Sequence, residues 1–99
     1  MGDRAITSYQ VFQYRATVVR INGTFGMTLA GSSNPGENGA YVANVIPGGG
    51  ADNARIDNGD MLLEVNGEDV SDTPYDQIFK LFKNAKSPIY LLLAGTTQV

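Results

Sequence analysis

Four Asn-Gly pairs punctuate this chain: Asn22-Gly23, Asn38-Gly39, Asn58-Gly59 and Asn66-Gly67. Asparagine and glycine accept positive φ at little energetic cost, so each pair marks a turn, and such turns commonly join antiparallel strands. The segments between the pairs are short and rich in β-branched and aliphatic residues. Val11 to Ile21 alternates apolar and polar positions and reads as a first strand. Met27 to Gly31 is a second, and Ala40 to Ile46 is a third, ended by Pro47 and the run Gly48-Gly49-Gly50. Ala51 to Ala54 has room for about one turn of helix. Met61 to Val65 is a fourth strand, which Asn66-Gly67 turns toward a short piece at Asp69-Val70.

The one long helix is expected from Tyr75 to Ala85. Ser71 or Asp72 can cap it, and Thr73-Pro74 opens it. Tyr75, Ile78, Phe79, Leu81, Phe82 and Ala85 recur at helical spacing and make an apolar stripe wider than one core face needs. Lys80, Lys83 and Lys86 lie opposite, late in the helix, where cations suit its dipole. Pro88 stops the helix, and the nearly all-apolar Ile89 to Ala94 is a final strand closed by Gly95. The expected fold is mainly β with α: a small antiparallel β-barrel or sandwich of five to six strands, capped by one short and one long helix. Residues 1–10 read as a flexible N-terminal segment, 11–95 as the domain, and 96–99 as a polar tail.

Composition narrows the function. Hydrophobic residues make up 42% and charged residues 17% of the chain, as in an ordinary globular domain rather than a disordered one. A net charge of −3, with scattered basic residues, gives no stripe for tracking nucleic acid. Cysteine and histidine are absent, which removes disulfides, thiolate metal sites and the usual nucleophile–base pairs. No run is long and apolar enough for a membrane span, and no signal-peptide pattern opens the chain, so a cytoplasmic setting is expected. Met1-Gly2-Asp3-Arg4 starts like a myristoylation site, but Ile6 stands where Ser or Thr is needed.

The segment Arg20-Ile21-Asn22-Gly23-Thr24-Phe25-Gly26-Met27-Thr28-Leu29 points to binding. It reads as a strand end, a tight loop and a second strand, with apolar Phe25 and Met27 where a solvent-facing loop would be polar. Gly26 lets the backbone bend so that successive N–H groups point one way, and such a concavity binds anions. Apolar walls beside it favour a carboxylate carried on an apolar side chain, which is the chemistry of a protein C-terminus.

Taken with the downstream stretches Pro47-Gly48-Gly49-Gly50-Ala51 and Gly59-Asp60-Met61-Leu62-Leu63-Glu64-Val65-Asn66-Gly67, the chain resembles a PDZ domain from about Val11 to Ala94. Thr24-Phe25-Gly26-Met27 matches the family's Gly-Leu-Gly-Phe loop with Thr24 in place of the first glycine, and Arg20 matches a basic residue four positions earlier. The resemblance implies a module that binds the last residues of partner proteins by strand addition, in a groove between the second strand (27–31) and the long helix (75–85). It implies that the N–H groups of Phe25, Gly26 and Met27 hold the ligand carboxylate, with Arg20 assisting through water. Phe25, Met27, Leu29, Phe79 and Phe82 would line the pocket for the last side chain, shallow enough to favour Val or Ile over Phe. Tyr75 matches the helix position where many members carry a histidine that bonds Ser or Thr two residues from the ligand end. A tyrosine there weakens that preference and leaves acidic and hydrophobic alternatives open.

The expected partners are C-terminal peptides of membrane receptors, channels or cytosolic proteins, with no cofactor, metal or nucleic acid. Such partners would bring the domain to the membrane-associated cortex. Thr97-Gln98-Val99 itself has the form of a PDZ ligand, so head-to-tail binding of one molecule by its neighbour is a further expectation. Two alternatives are a lipid-headgroup binder using Lys80, Lys83 and Lys86, and a regulatory PDZ domain of a larger enzyme. Gly48-Gly49-Gly50-Ala51-Asp52-Asn53 lacks the third glycine and the βαβ setting of a dinucleotide loop. Asp57-Asn58-Gly59-Asp60 with Glu64 fails the spacing of a calcium loop, and Glu68-Asp69 has no apolar surroundings to tune an acid. Enzymatic activity is not expected.

Overall fold

Two of the Asn-Gly pairs fold as the tightest kind of hairpin turn. Asn22 and Gly23 have φ of 54° and 84°, and Asn66 and Gly67 have 50° and 83°. Positive φ at both central residues is the twist that lets a two-residue loop join antiparallel strands without splaying them. The other two pairs use positive φ only at the glycine, 98° at Gly39 and 90° at Gly59. Their asparagines serve as hydrogen-bonding side chains instead: Asn38 donates to the Asp72 carbonyl at 3.0 Å, and Asn58 accepts from the Val45 N–H at 2.9 Å.

The computed structural model describes residues 8–98. The elements run β1 (Tyr9–Val18), β2 (Thr28–Ala30), β3 (Ala40–Ala43), α1 (Gly50–Asn53), β4 (Met61–Val65), β5 (Glu68–Asp69), α2 (Tyr75–Asn84) and β6 (Ile89–Gln98). All pairings are antiparallel, in the spatial order β1-β6-β4-β3-β2, with β5 beside β4. The sheet is not closed: β1 and β2 are its two ends. The apolar side chains of both long strands and of α2 meet in one core, where Val18, Leu62, Val70, Ile78, Ile89 and Leu93 are wholly inaccessible. Helix α2 enters this core through Ile78 and Phe82, the centre of its apolar stripe. The Tyr14 hydroxyl donates to the Asp60 carboxylate and ties β1 to the start of β4. Burial, and then the neighbouring Asp60 carboxylate, push the Tyr14 phenol well above its ordinary range.

The sequence reading and the structure part at both ends of the domain. Thr96, Thr97 and Gln98 are not a tail beyond Gly95; they continue β6 and pair with Val11, Gln10 and Tyr9. Tyr9 and Gln10, placed in a flexible segment at 1–10, are accordingly strand. Residues 1–7 and Val99, to which the remainder of those two expectations refers, lie outside the described residues. Gly95 does not end the strand. It sits opposite Phe12, and a Cβ there would come within 2.8 Å of the Phe12 ring, so glycine lets the ring lie across β6. The first strand correspondingly stops at Val18 rather than Ile21, because Ile21 already bridges to Thr24 around the first turn.

The start of α2 differs as well. Pro74 is the boundary residue, and no side chain among the described residues caps the helix. Ser71 is held by the Asp69 carboxylate, which accepts from its N–H at 2.9 Å and its hydroxyl at 2.7 Å. That engagement holds the Asp69 carboxyl below its ordinary range. The backbone of Asp72 and Thr73 is used in the same way, since their carbonyls accept from Asn38 and from the Gly39 N–H.

Deleting residues 96–99 removes the partners of Tyr9, Gln10 and Val11. Amide hydrogen exchange should therefore rise at Tyr9 to Val11 while Leu62 and Leu93 stay protected. Unchanged exchange at the start of β1 would mean that this end of the ladder is not formed in solution.

Candidate functional site

The loop before β2 is held from behind. The Phe25 carbonyl accepts from the Ala51 N–H at 2.9 Å, and the Gly26 carbonyl accepts from the Ile46 N–H at 2.8 Å. In a trans peptide the following N–H points opposite to the carbonyl. Fixing these two carbonyls against α1 and the segment after β3 therefore turns the Gly26 and Met27 N–H groups outward, toward the free edge of β2. Gly26 has φ of 78°, and a Cβ on it would meet Gly49 Cα and the Gly50 nitrogen at 3.1 Å. Both the dihedral and the close backbone approach require glycine there.

The three donors expected from the sequence are together, and they are not equivalent. The Phe25 and Met27 N–H groups have no hydrogen-bond partner among the described residues. The Gly26 N–H donates to the Thr24 hydroxyl at 3.0 Å. The threonine that stands where the family loop carries its first glycine thus supplies an internal acceptor to the middle donor, at the spacing of a hydroxyl turn.

Arg20 is brought to the same loop, but its guanidinium is already engaged. It donates to the carbonyls of Gly23 at 3.2 Å, Lys83 at 3.2 Å and Ala85 at 3.1 Å, and lies 4.0 Å above the centroid of the Phe25 ring. Carbonyls at a helix C-terminus lack intrahelical partners and carry the negative end of the dipole, so a guanidinium fork suits them. Arg20 thereby clamps the loop to the end of α2.

The apolar residues divide into a floor and a rim. Phe25, Met27, Leu29 and Phe82 are buried, and the Phe25 and Phe82 rings pack 5.2 Å apart. Phe79, one turn before Phe82 on α2, is 44% exposed and stacks on Tyr75 at 6.2 Å. Phe79 is thus a rim residue, whereas the other four belong to the core that supports the groove. The Tyr75 ring lies over Gly31, where a Cβ would approach it to 3.3 Å, and its hydroxyl donates to the Leu29 carbonyl at 2.7 Å. A separate cavity of about 550 Å³, lined by Val65, Glu68, Gln77, Lys80, Leu81 and Asn84, lies on the opposite face of α2 and has none of these outward donors.

Several of these roles were not read from the sequence: the close approach at Gly31, the Thr24 hydroxyl as an acceptor, and the bracing donors of Ile46 and Ala51. Gly31 could have been found as a glycine ending a strand, a position that often marks close approach by another group. Thr24, two residues before a loop glycine, has the spacing of a hydroxyl turn. The bracing donors of Ile46 and Ala51 carry no local signal, because their role is set by backbone direction alone.

The family model described as PDZ domain matches residues 15–94. Among curated proteins, the chain is 34% identical over 89 residues to human PDZ domain-containing RING finger protein 4, covering 81% of this chain and 8% of that protein. It is 32% identical over 79 residues to zebrafish (Danio rerio) Disks large homolog 2, covering 75% of this chain and 9% of that protein. The chain therefore spans less than a tenth of the length of these relatives. Among solved structures, it resembles the PDZ domain of choanoflagellate SHANK1 bound to a GIRK3 peptide, with a TM-score of 0.77, 29% identity and coverage of 87% and 94% of the two chains. The second PDZ domain of Dlg1 from the choanoflagellate Monosiga brevicollis superimposes with a TM-score of 0.72 at 26% identity, covering 83% and 97%.

Gly26→Ala tests the loop's construction. Alanine at positive φ costs about 1–2 kcal/mol, and the contact with Gly49 adds to it. Urea unfolding should show a loss of about 2 kcal/mol or more, whereas Gly23→Ala, with open space around it, should lose only the dihedral part.

Proposed function

The chain belongs to the PDZ domain family, whose members are peptide-binding interaction modules, and we propose that it binds the free C-terminus of a partner protein by adding it as a strand to β2. The observation that carries this reading is the pair of N–H groups of Phe25 and Met27, unpartnered among the described residues, in the loop that leads into the free edge of β2. The terminal carboxylate sits on these donors, and the Gly26 N–H joins them once the Thr24 hydroxyl rotates away. A peptide with its C-terminus at that end runs antiparallel to β2, toward Gly31. Its last side chain meets the floor of Phe25, Met27, Leu29 and Phe82. The two phenylalanines keep this pocket shallow, which favours Val or Ile.

In this reading Arg20 is a positioning residue. Its guanidinium braces the loop against Lys83 and Ala85 and brings positive charge beside the carboxylate without touching it. Phe79 packs on the ligand from the rim, and Tyr75 faces the third residue from the end. The role is that of a non-enzymatic interaction module that engages receptors, channels or cytosolic partners, acting in the cytoplasm at the membrane cortex through those partners. The length of the curated relatives supports its being one module of a larger scaffold.

Binding to its own C-terminus would require Thr97 and Gln98 to leave β6, where they pair with Gln10 and Tyr9. That competition supports a foreign C-terminus as the ligand. The light-scattering mass of the full chain should accordingly not rise with concentration; a rise abolished by deleting residues 96–99 would reinstate head-to-tail binding.

Amidating a ligand removes the charge that the loop is built to hold. Charge-assisted hydrogen bonds contribute about 1.5–3 kcal/mol, so isothermal titration should show at least about tenfold weaker binding of an amidated peptide than of its free-acid twin. Equal affinities would sink the carboxylate mechanism.

A further inference from the structure

The strand edge on which a peptide would add is partly covered by the protein's own side chain. Leu29 faces Val42 across the β2–β3 ladder. Val42 spends both its backbone groups on the far side, donating to the Asp60 carbonyl and accepting from the Gly59 N–H, each at 2.8 Å. Leu29 and Val42 are therefore a non-hydrogen-bonded pair, and the N–H and carbonyl of Leu29 both point away from β3, to the free edge. Within the three residues of β2, Leu29 alone presents backbone groups there. Its carbonyl is the one that accepts from the Tyr75 hydroxyl at 2.7 Å.

Period-two alternation carries this into the ligand. An antiparallel peptide with its carboxylate on the loop aligns its last residue with Met27 and its third-from-last residue with Leu29. The backbone N–H of that third-from-last residue needs the Leu29 carbonyl. We propose that Tyr75 is a built-in competitor for the ligand's main chain: it latches α2 to β2 by occupying the one β2 carbonyl on the free edge, and a peptide must displace its hydroxyl to complete the ladder. This rests on the peptide-binding reading above.

Two features make the latch a designed contact rather than a stray bond. Gly31 leaves the space into which the Tyr75 ring folds, and Phe79 stacks on the ring from α2. The hydroxyl released by a ligand is a donor in a half-buried site and needs a new acceptor. A ligand whose third-from-last side chain offers one compensates for opening the latch, and a ligand with alanine there does not. Tyr75 thus sets selectivity by penalising ligands without an acceptor, in addition to attracting those that have one.

The test compares the wild-type chain with Tyr75→Phe, which keeps the ring against Gly31 and Phe79. The probes are an acetylated hexapeptide ending Ala-Gln-Val with a free carboxylate, and its counterpart ending Asp-Gln-Val. Removing one neutral competing hydrogen bond should tighten binding of the Ala peptide by about three- to tenfold. The Asp peptide should show no such gain, because the variant also loses the hydroxyl that its carboxylate accepts from. Equal or weaker binding of the Ala peptide to the variant overturns the competition, and an equal gain for both peptides overturns the selective role. The latch is read separately, without peptide, from the carbonyl carbon-13 shift of Leu29, which should move in Tyr75→Phe. An unmoved shift overturns the latch itself. A moved shift with neither peptide binding either protein overturns the peptide-binding reading, and the competition with it.

Discussion

Everything at this site depends on two backbones meeting without side chains. Gly26 and Gly49 approach so closely that a Cβ on either would lie 3.1 Å from the other's Cα. That approach lets Ile46 and Ala51 reach the carbonyls of the loop, and engaging those carbonyls aims the loop's N–H groups outward. A larger residue at either position would push the loop off its support and scatter the donors. The aim of the loop's N–H groups is thus a consequence of packing behind the loop. The residues that do the packing need never touch a ligand.

An open strand edge can take up an added strand and is for the same reason a hazard, because unpaired backbone groups invite indiscriminate pairing. The domain manages its β2 edge with length and cover. The strand has only three residues, so few groups are offered, and Tyr75 occupies the carbonyl that alternation leaves outward. Thr24 does the same for the central donor of the loop. Two hydroxyls, those of Thr24 and Tyr75, give the Gly26 N–H and the Leu29 carbonyl partners in the free protein, where an unpaired polar group among apolar side chains is expensive. Among the described residues no side chain covers the β1 edge in this way, and its first residues pair with the extension of β6.

The order and kind of most elements were legible from local pattern. Met61–Val65 was read to the residue, and α2 to within one, because alternation and the helical stripe are properties of neighbouring residues. The bend at Gly26 was legible as well, since glycine adopts positive φ readily; that Phe25 and Met27 beside it belong to the core was not. The misreadings share one cause. Gly95 looked like a strand end, and Ser71 and Asp72 looked like caps, because glycine and short polar residues carry several meanings that only their partners separate. The partner of Gly95 is the Phe12 ring, and that of Ser71 is Asp69.

Local chemistry, then, was enough to establish turns, strands and a helix with a broad apolar face, because dihedral preference and periodicity act within a few residues. Which donors stay free, where the Arg20 guanidinium rests, and what the Tyr75 hydroxyl bonds are contacts between groups far apart in the chain. The 46 residues separating Tyr75 from Leu29 carry no pattern that marks the pair. Only the folded sheet, by turning the Leu29 carbonyl away from β3 and setting α2 beside it, brings that donor and acceptor together.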